Sequence, residues 1–217
     1  MKKVFILLLI IFFNSTLWAQ IVDNFTFSIN QVQLTTEKGY TRVAIPLCDI
    51  SSEVGHPELP CMVLRYLLPF DQEISSITIL DSTLQLVSNN ALVYPKQPEY
   101  PINDTTLHPF VQPNESIYNS NTYYPLQAVQ SIEQYYEKGY HLALIKVYPI
   151  RYTPSMNRLE LFSYIHFQLN LSPVTGTPFR PQTQTQKPGL YKLPRKHSQP
   201  LPLSLYPLGH EKKSSIC

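Results

Sequence analysis

Beyond Phe13 the sequence has no apolar run long enough to cross a bilayer, which takes about 20 residues as a helix. Cysteine is scarce: Cys48, Cys61 and Cys217 are the only 3 in 217 residues, too few for a disulfide-built scaffold. The body also lacks a basic surplus. Residues 20–171 carry 8 Lys and Arg against 14 Asp and Glu, a net of −6, whereas residues 172–217 carry 7 against 1, a net of +6. Nucleic-acid binding needs a basic face on the folded part, and an acidic body argues against it.

What is present begins with an export signal. Lys2 and Lys3 precede the unbroken apolar run Val4–Phe13, and Leu17-Trp18-Ala19 offers a small residue for cleavage between Ala19 and Gln20. The mature chain is therefore expected in the periplasm, on the cell surface or outside the cell, and free of the membrane. An oxidising compartment allows a Cys48–Cys61 disulfide. Two buried free thiols are the other reading.

The body reads as β. In "LELFSYIHFQLNL" the residues Leu159, Leu161, Ile165, Phe167, Leu169 and Leu171 share one face, and Glu160, Tyr164, His166, Gln168 and Asn170 share the other. That period of two marks a strand buried on one side and wet on the other. "YHLALIKVYPI", Tyr140 to Ile150, is apolar on both faces, and the two runs are expected to pair across the "RYTPSMN" loop. "FTFSINQVQL" and "TRVAIPLC" flank a "TTEKGY" turn, "VLRYLLPF" and "ISSITILDSTLQL" continue the pattern, and "AVQSIEQYY" leads into a second "EKG" turn. Short strands with Pro- and Gly-marked turns predict an antiparallel β-sandwich. Residues 94–125 form a long Pro- and Tyr-rich connection, expected to be an ordered or functional strap. Residues 172–217 hold 8 of the 20 prolines without apolar periodicity, which predicts an unstructured basic tail.

"GHPELP", residues 55–60, is the most concentrated chemistry in the chain. His56, Glu58 and Cys61 are metal-ligating types, but Pro57 and Pro60 hold the backbone extended and spread them apart. Gly55 permits an unusual turn, and the prolines preset the entry into a core strand. Nor does any histidine stand in a nucleophile context with a cysteine. The sequence predicts no catalytic group, no metal site and no cofactor. Asn24, Asn103 and Asn114 begin glycosylation acceptor triplets, which the bacterial-looking leader makes chance matches. The 15 tyrosines keep a second class open, a freestanding secreted sandwich that binds carbohydrate or a surface.

Three stretches together resemble the gingipain-type propeptide family. Gly55, Pro57, Leu59, Pro60 and Pro69 match a G-x-P-x-LP element and the proline after its strand. Pro95, Gln97, Pro98 and Pro101 match a Pro-rich strap, and Pro149, Tyr152 and Pro154 match the entry to a closing strand. The resemblance implies an all-β prodomain over residues 20–171. It also implies a partner, a cysteine peptidase catalytic domain in cis or in trans, and export by type IX secretion in Bacteroidetes. The prodomain would assist folding and hold the peptidase latent. The catalytic and sorting domains of such proteins are missing here, so the chain reads as truncated before its peptidase, or as a freestanding relative. Family enzymes cut after basic residues, which makes Arg151 and Arg158 candidates for an inhibitory plug. Arg180, Lys187, Arg195 and Lys196 in the tail are candidate release sites.

Overall fold

Every second residue from Ile165 to Leu171 is buried, as the alternation predicts, and this strand is the centre of the molecule. The computed structural model describes residues 20–50 and 52–176 and the backbone of 189–190. The expected export signal, Ala19 included, lies outside them, as do the candidate release sites Arg180, Lys187, Arg195 and Lys196. Among the described residues the strands are β1 (Gln20–Thr26), β2 (Gln33–Glu37), β3 (Tyr40–Ala44), β4 (Asp49–Ile50), β5 (Pro60–Leu68), β6 (Gln72–Ser88), β7 (Val129–Glu137), β8 (Tyr140–Val147), β9 (Ile150–Thr153), β10 (Arg158–Pro173) and β11 (Gly189–Leu190). The one α-helix among these residues is α1, Glu115–Tyr118.

All strand pairings between these elements are antiparallel. One sheet runs β1-β10-β6 with β9 also on β10; the other runs β11-β5-β8-β7 with β4 on β5; β2 and β3 form a hairpin. Their inner faces share one core. Phe25 of β1 and Ile165, Phe167 and Leu169 of β10 pack with Tyr66 and Leu68 of β5 and Ala143 and Ile145 of β8. Each large aliphatic or aromatic side chain buried there is worth about 1.5–3 kcal/mol. The Tyr66 hydroxyl bridges the sheets by donating to Asp23 Oδ2 at 2.8 Å. A second cluster, with Val43, Leu59, Val93, Ile150, Tyr152, Leu159 and Leu161, carries the strap.

The "EKGY" at 37–40 and the "EKGY" at 137–140 fold alike. Lys38 and Lys138 have φ of 51° and 49°, and the following Gly39 and Gly139 both have 82°. Two successive positive φ values make the turn whose twist suits a hairpin.

Four expectations change. β8 and β10 lie in different sheets: β8 pairs with β5 and β7, and β9 is the strand that turns back on β10. Pro149, between β8 and β9, has no N–H for a ladder, and the chain changes sheets there. The first run divides, because a 3-10 turn at Ile29–Gln31, with Ser28 accepting from Asn30 N, separates β1 from β2. Gly189–Leu190, inside the segment read as unstructured, pairs with Leu67 and Tyr66 of β5; two residues are too few to show a period. Finally Glu160, placed on the wet face, is 6% exposed.

Candidate functional site

The motif residues converge on the base of the strap. Gly55 has φ +83°, and a Cβ there would sit 3.4 Å from the Gln112 carbonyl oxygen. Its N–H donates to Lys96 O at 2.8 Å, its carbonyl accepts from Asn114 N at 2.9 Å, and Lys96 N donates to His56 O at 2.8 Å. Pro57 and Pro95 form an antiparallel bridge. The left-handed backbone is what calls for glycine here; the strap's returning leg lies at contact distance beside it.

Gln97 completes the clasp. Its Nε2 donates to Pro95 O at 2.9 Å and Val111 O at 3.0 Å, and its Oε1 accepts from Val111 N at 2.8 Å. One side chain thus stands in for a strand partner and ties the two legs together. Around it Tyr40, Tyr94 and Phe110 pack ring against ring at 5.7–6.0 Å. Pro98 is half-buried beside Gln97 and Pro101 is exposed. Leu59 is fully buried and Pro60 opens β5. Further along, Pro154 starts a 3-10 turn after β9, and Tyr152 is fully buried with its hydroxyl donating to Asn157 Oδ1 at 3.2 Å.

Above the clasp, residues 100–108 project. Their neck is closed by Tyr100 and His108, stacked at 3.5 Å with 3° between planes. His108 Nε2 lies 2.9 Å from Asp104 Oδ2, and Asp104 Oδ1 accepts from Thr106 N at 2.9 Å. Hydrogen bonds from Thr106 and then His108 hold the Asp104 carboxyl below its ordinary range.

The three metal-ligating types of the entry segment point three ways. His56 meets the Tyr124 ring edge-on at 6.0 Å, Cys61 is buried in β5, and Glu58 joins Arg42. Arg42 also bonds Glu37 Oε2 at 2.7 Å and stacks on Tyr94 at 3.7 Å. Cys48 is half-buried, and Cys61 is fully buried in β5. Burial pushes the Cys48 thiol up to about 12, which leaves it protonated and unreactive.

Glu58 gives a pH prediction. Burial pushes its carboxyl above the ordinary range, against the pull of Arg42 and Lys96. The folded state then holds a proton that the unfolded chain, with a carboxyl near ~4.3, has released. Its contribution is full below that value and is lost as pH rises through the raised one. Denaturant titrations of wild type and Glu58→Gln from neutral pH to acid should show the difference between them moving in wild type's favour as pH falls. A difference that moves the other way would mean that Arg42 outweighs burial.

Arg151 and Arg158 are engaged within the domain. Glu160 Oε2 accepts from Arg151 Nε at 3.1 Å and Nη2 at 2.7 Å, and Oε1 accepts from Arg158 Nη2 at 2.7 Å. Arg151 lies between Tyr123 and Phe162 on the wall of an open groove of about 640 Å³ along β6. For the Tyr100–His108 stack and the brace at Asp104, the sequence signals only the length of the strap.

The family model Propeptide_C25 matches residues 19–186. The fold is similar to a solved complex of Porphyromonas gingivalis RgpB pro- and mature domains, with a TM-score of 0.61 and 16% identity, covering 76% of this chain and 85% of that one. It is also similar to a structure on the zymogenic latency of gingipain K from the same organism, with a TM-score of 0.59 and 23% identity, covering 74% and 91%. No curated protein sequence matches. Identities this low speak for the fold alone. The family match spans the sandwich, the clasp and the closing strand, and on it the chain belongs to the Propeptide_C25 family, the propeptides of gingipain-type peptidases.

Proposed function

We propose that this chain is an exported prodomain that binds a gingipain-type cysteine peptidase domain, in cis or in trans, and keeps it latent by covering its cleft. The observation that carries this reading is the family match over residues 19–186. The sandwich is the rigid support, and the clasped strap presents binding surface rather than reactive groups. Of the candidate plug residues, Arg151 pairs with Glu160 across β9 and β10, and Arg158 pairs with it along β10. A freestanding sugar- or surface-binding sandwich is the weaker reading, because the family match speaks for a peptidase partner.

The test is inhibition in trans. The purified chain is titrated against each gingipain-type catalytic domain encoded in the source genome, with a fluorogenic peptide as substrate and size exclusion to detect the complex. The expected result is a one-to-one complex and full loss of activity against at least one domain. Failure to bind any of them would overturn the reading.

A further inference from the structure

Among the described residues β6 is an edge: the order β1-β10-β6 ends on it. It runs for 17 residues without a Lys, Arg or Pro, the residues that ordinarily blunt an edge. At one point the edge is already filled. Ile74 N donates to Gln134 Oε1 at 2.7 Å, and Ile74 O accepts from Gln134 Nε2 at 3.2 Å. The Gln134 side chain of β7 thus acts as a strand partner for a single residue, and no other described strand takes up the rest of that edge.

The core side of the same strand is also uncovered. Ile77 and Ile79 oppose the buried Leu169 and Phe167 of β10 and so share their inward face. Asn170 Nδ2 bonds Ser76 Oγ and Thr78 Oγ1 on the outer face. Yet Ile79 is 42% exposed, and Leu126 on the far wall of the groove along β6 is 69% exposed, because the facing sheet ends at β7. Register shifts against β10 fall between Ile74 and Ser76 and between Ile79 and Asp81, which leaves Ser76–Ile79 as the regular stretch. Four residues of added strand, at 3.4 Å each, 4.8 Å between strands and 10 Å between sheets, fill about 650 Å³. The groove measures about 640 Å³.

The chain carries a segment of that length and pattern. The tail as a whole has no apolar period, but residues 200–206 do: Leu201, Leu203 and Leu205 stand at every second position, interleaved with Pro200, Pro202, Ser204 and Tyr206. In an extended strand alternate residues share both a face and an edge. With the three leucines in the groove and their backbone groups toward β6, the two prolines fall on the outward edge. Their missing N–H groups there stop a further strand from adding. Charge agrees. β6 and β7 carry Glu73, Asp81, Glu133 and Glu137 and no Lys or Arg, whereas Arg195 and Lys196 precede the leucines and Lys212 and Lys213 follow them. Arg151 on the groove wall is already paired with Glu160. The reach suffices. β11 brings the chain to the β5 edge at Leu190, three strand spacings, about 14 Å, from β7. Residues 191–200 extend up to about 33 Å.

We propose that residues 201–205 of the tail dock on β6 as an added strand beside Ser76–Ile79, with Leu201, Leu203 and Leu205 in the groove. The tail then closes the edge through which the sandwich would pair with other chains, and being tethered it does so at high effective concentration. The inference does not depend on which partner the prodomain binds.

The test compares amide exchange in the purified chain and in its Leu201→Ser/Leu203→Ser/Leu205→Ser variant, whose substitutions lie outside the sandwich core. The amides of Ser76–Ile79 that do not donate to β10 should exchange at least about 10-fold faster in the variant. A nitroxide on Ser204→Cys, in a chain that also carries Cys217→Ser, should broaden the resonances of Ser76–Ile79 within the same molecule. Equal exchange in wild type and variant would overturn the docking. So would broadening that passes only from a labelled chain to an isotope-enriched unlabelled one, which would assign the edge to a second copy.

Discussion

Glu160→Ala should lower the unfolding free energy by about 3–5 kcal/mol, the loss expected when one partner is removed from a buried ion pair. The carboxylate sits at 6% exposure and receives three hydrogen bonds from two arginines. Arg151 is its direct cross-strand partner in the β9–β10 pairing, and the flanking pairs Leu159–Tyr152 and Leu161–Ile150 are fully buried. Removing the carboxylate leaves the Arg151 guanidinium between two aromatic rings without a counter-charge. Arg158→Ala should cost far less, about 0.5–1 kcal/mol, because that side chain is 43% exposed. Equilibrium urea denaturation measures both. A loss below about 1 kcal/mol for Glu160→Ala would show that solvent reaches Arg151 and replaces the carboxylate. The same preparations settle the arginines' role. Arg151→Ala/Arg158→Ala should inhibit normally per folded molecule, and a specific loss of inhibition would return the pair to the cleft.

Glu160 also shows where sequence reading stops. Alternation along β10 predicted its inward face from Ile165 to Leu171 correctly, since a period of two reports which side is apolar. It cannot report what stands opposite. A charged residue reads as wet whether water or two arginines solvate it, and the arginines come from β9 and from the first residue of β10 itself. The same limit explains the misplaced pairing of β8 with β10. Both runs were identified as strands, yet neither records that the chain changes sheets at Pro149. The strap's existence was legible from its length and prolines. The bridging role of Gln97 was not, because hydrogen bonds from one side chain to backbone 14 residues away leave no period. Gly55 was legible as a turn, but the strap legs that bond to its backbone were not.

Gln97→Ala should therefore have an effect out of proportion to its place on an exposed strap. The substitution removes three hydrogen bonds and leaves Val111 N–H and C=O, and Pro95 C=O, to find water or go unpaired. At about 1 kcal/mol for each bond the local loss is about 3 kcal/mol. It falls on the tie between the strap's legs, not on the sandwich, whose core lies in other residues. Global unfolding should thus shift little, while amide exchange at Val111 and Asn114 rises by roughly two orders of magnitude, as local opening free energy converts to protection. With its base released, the strap loses preorganisation, and inhibition of a cognate peptidase in the proposed assay should weaken. Gln97→Glu keeps the size and the acceptor for Val111 N but turns an oxygen toward the Pro95 and Val111 carbonyls, so exchange at Val111 should rise at least as far as in Gln97→Ala. Unchanged exchange in Gln97→Ala would mean that Gly55 and the ring cluster of Tyr40, Tyr94 and Phe110 hold the legs alone. The clasp's sequence signature would then lie in the glycine and the aromatics, and not in the glutamine between two prolines.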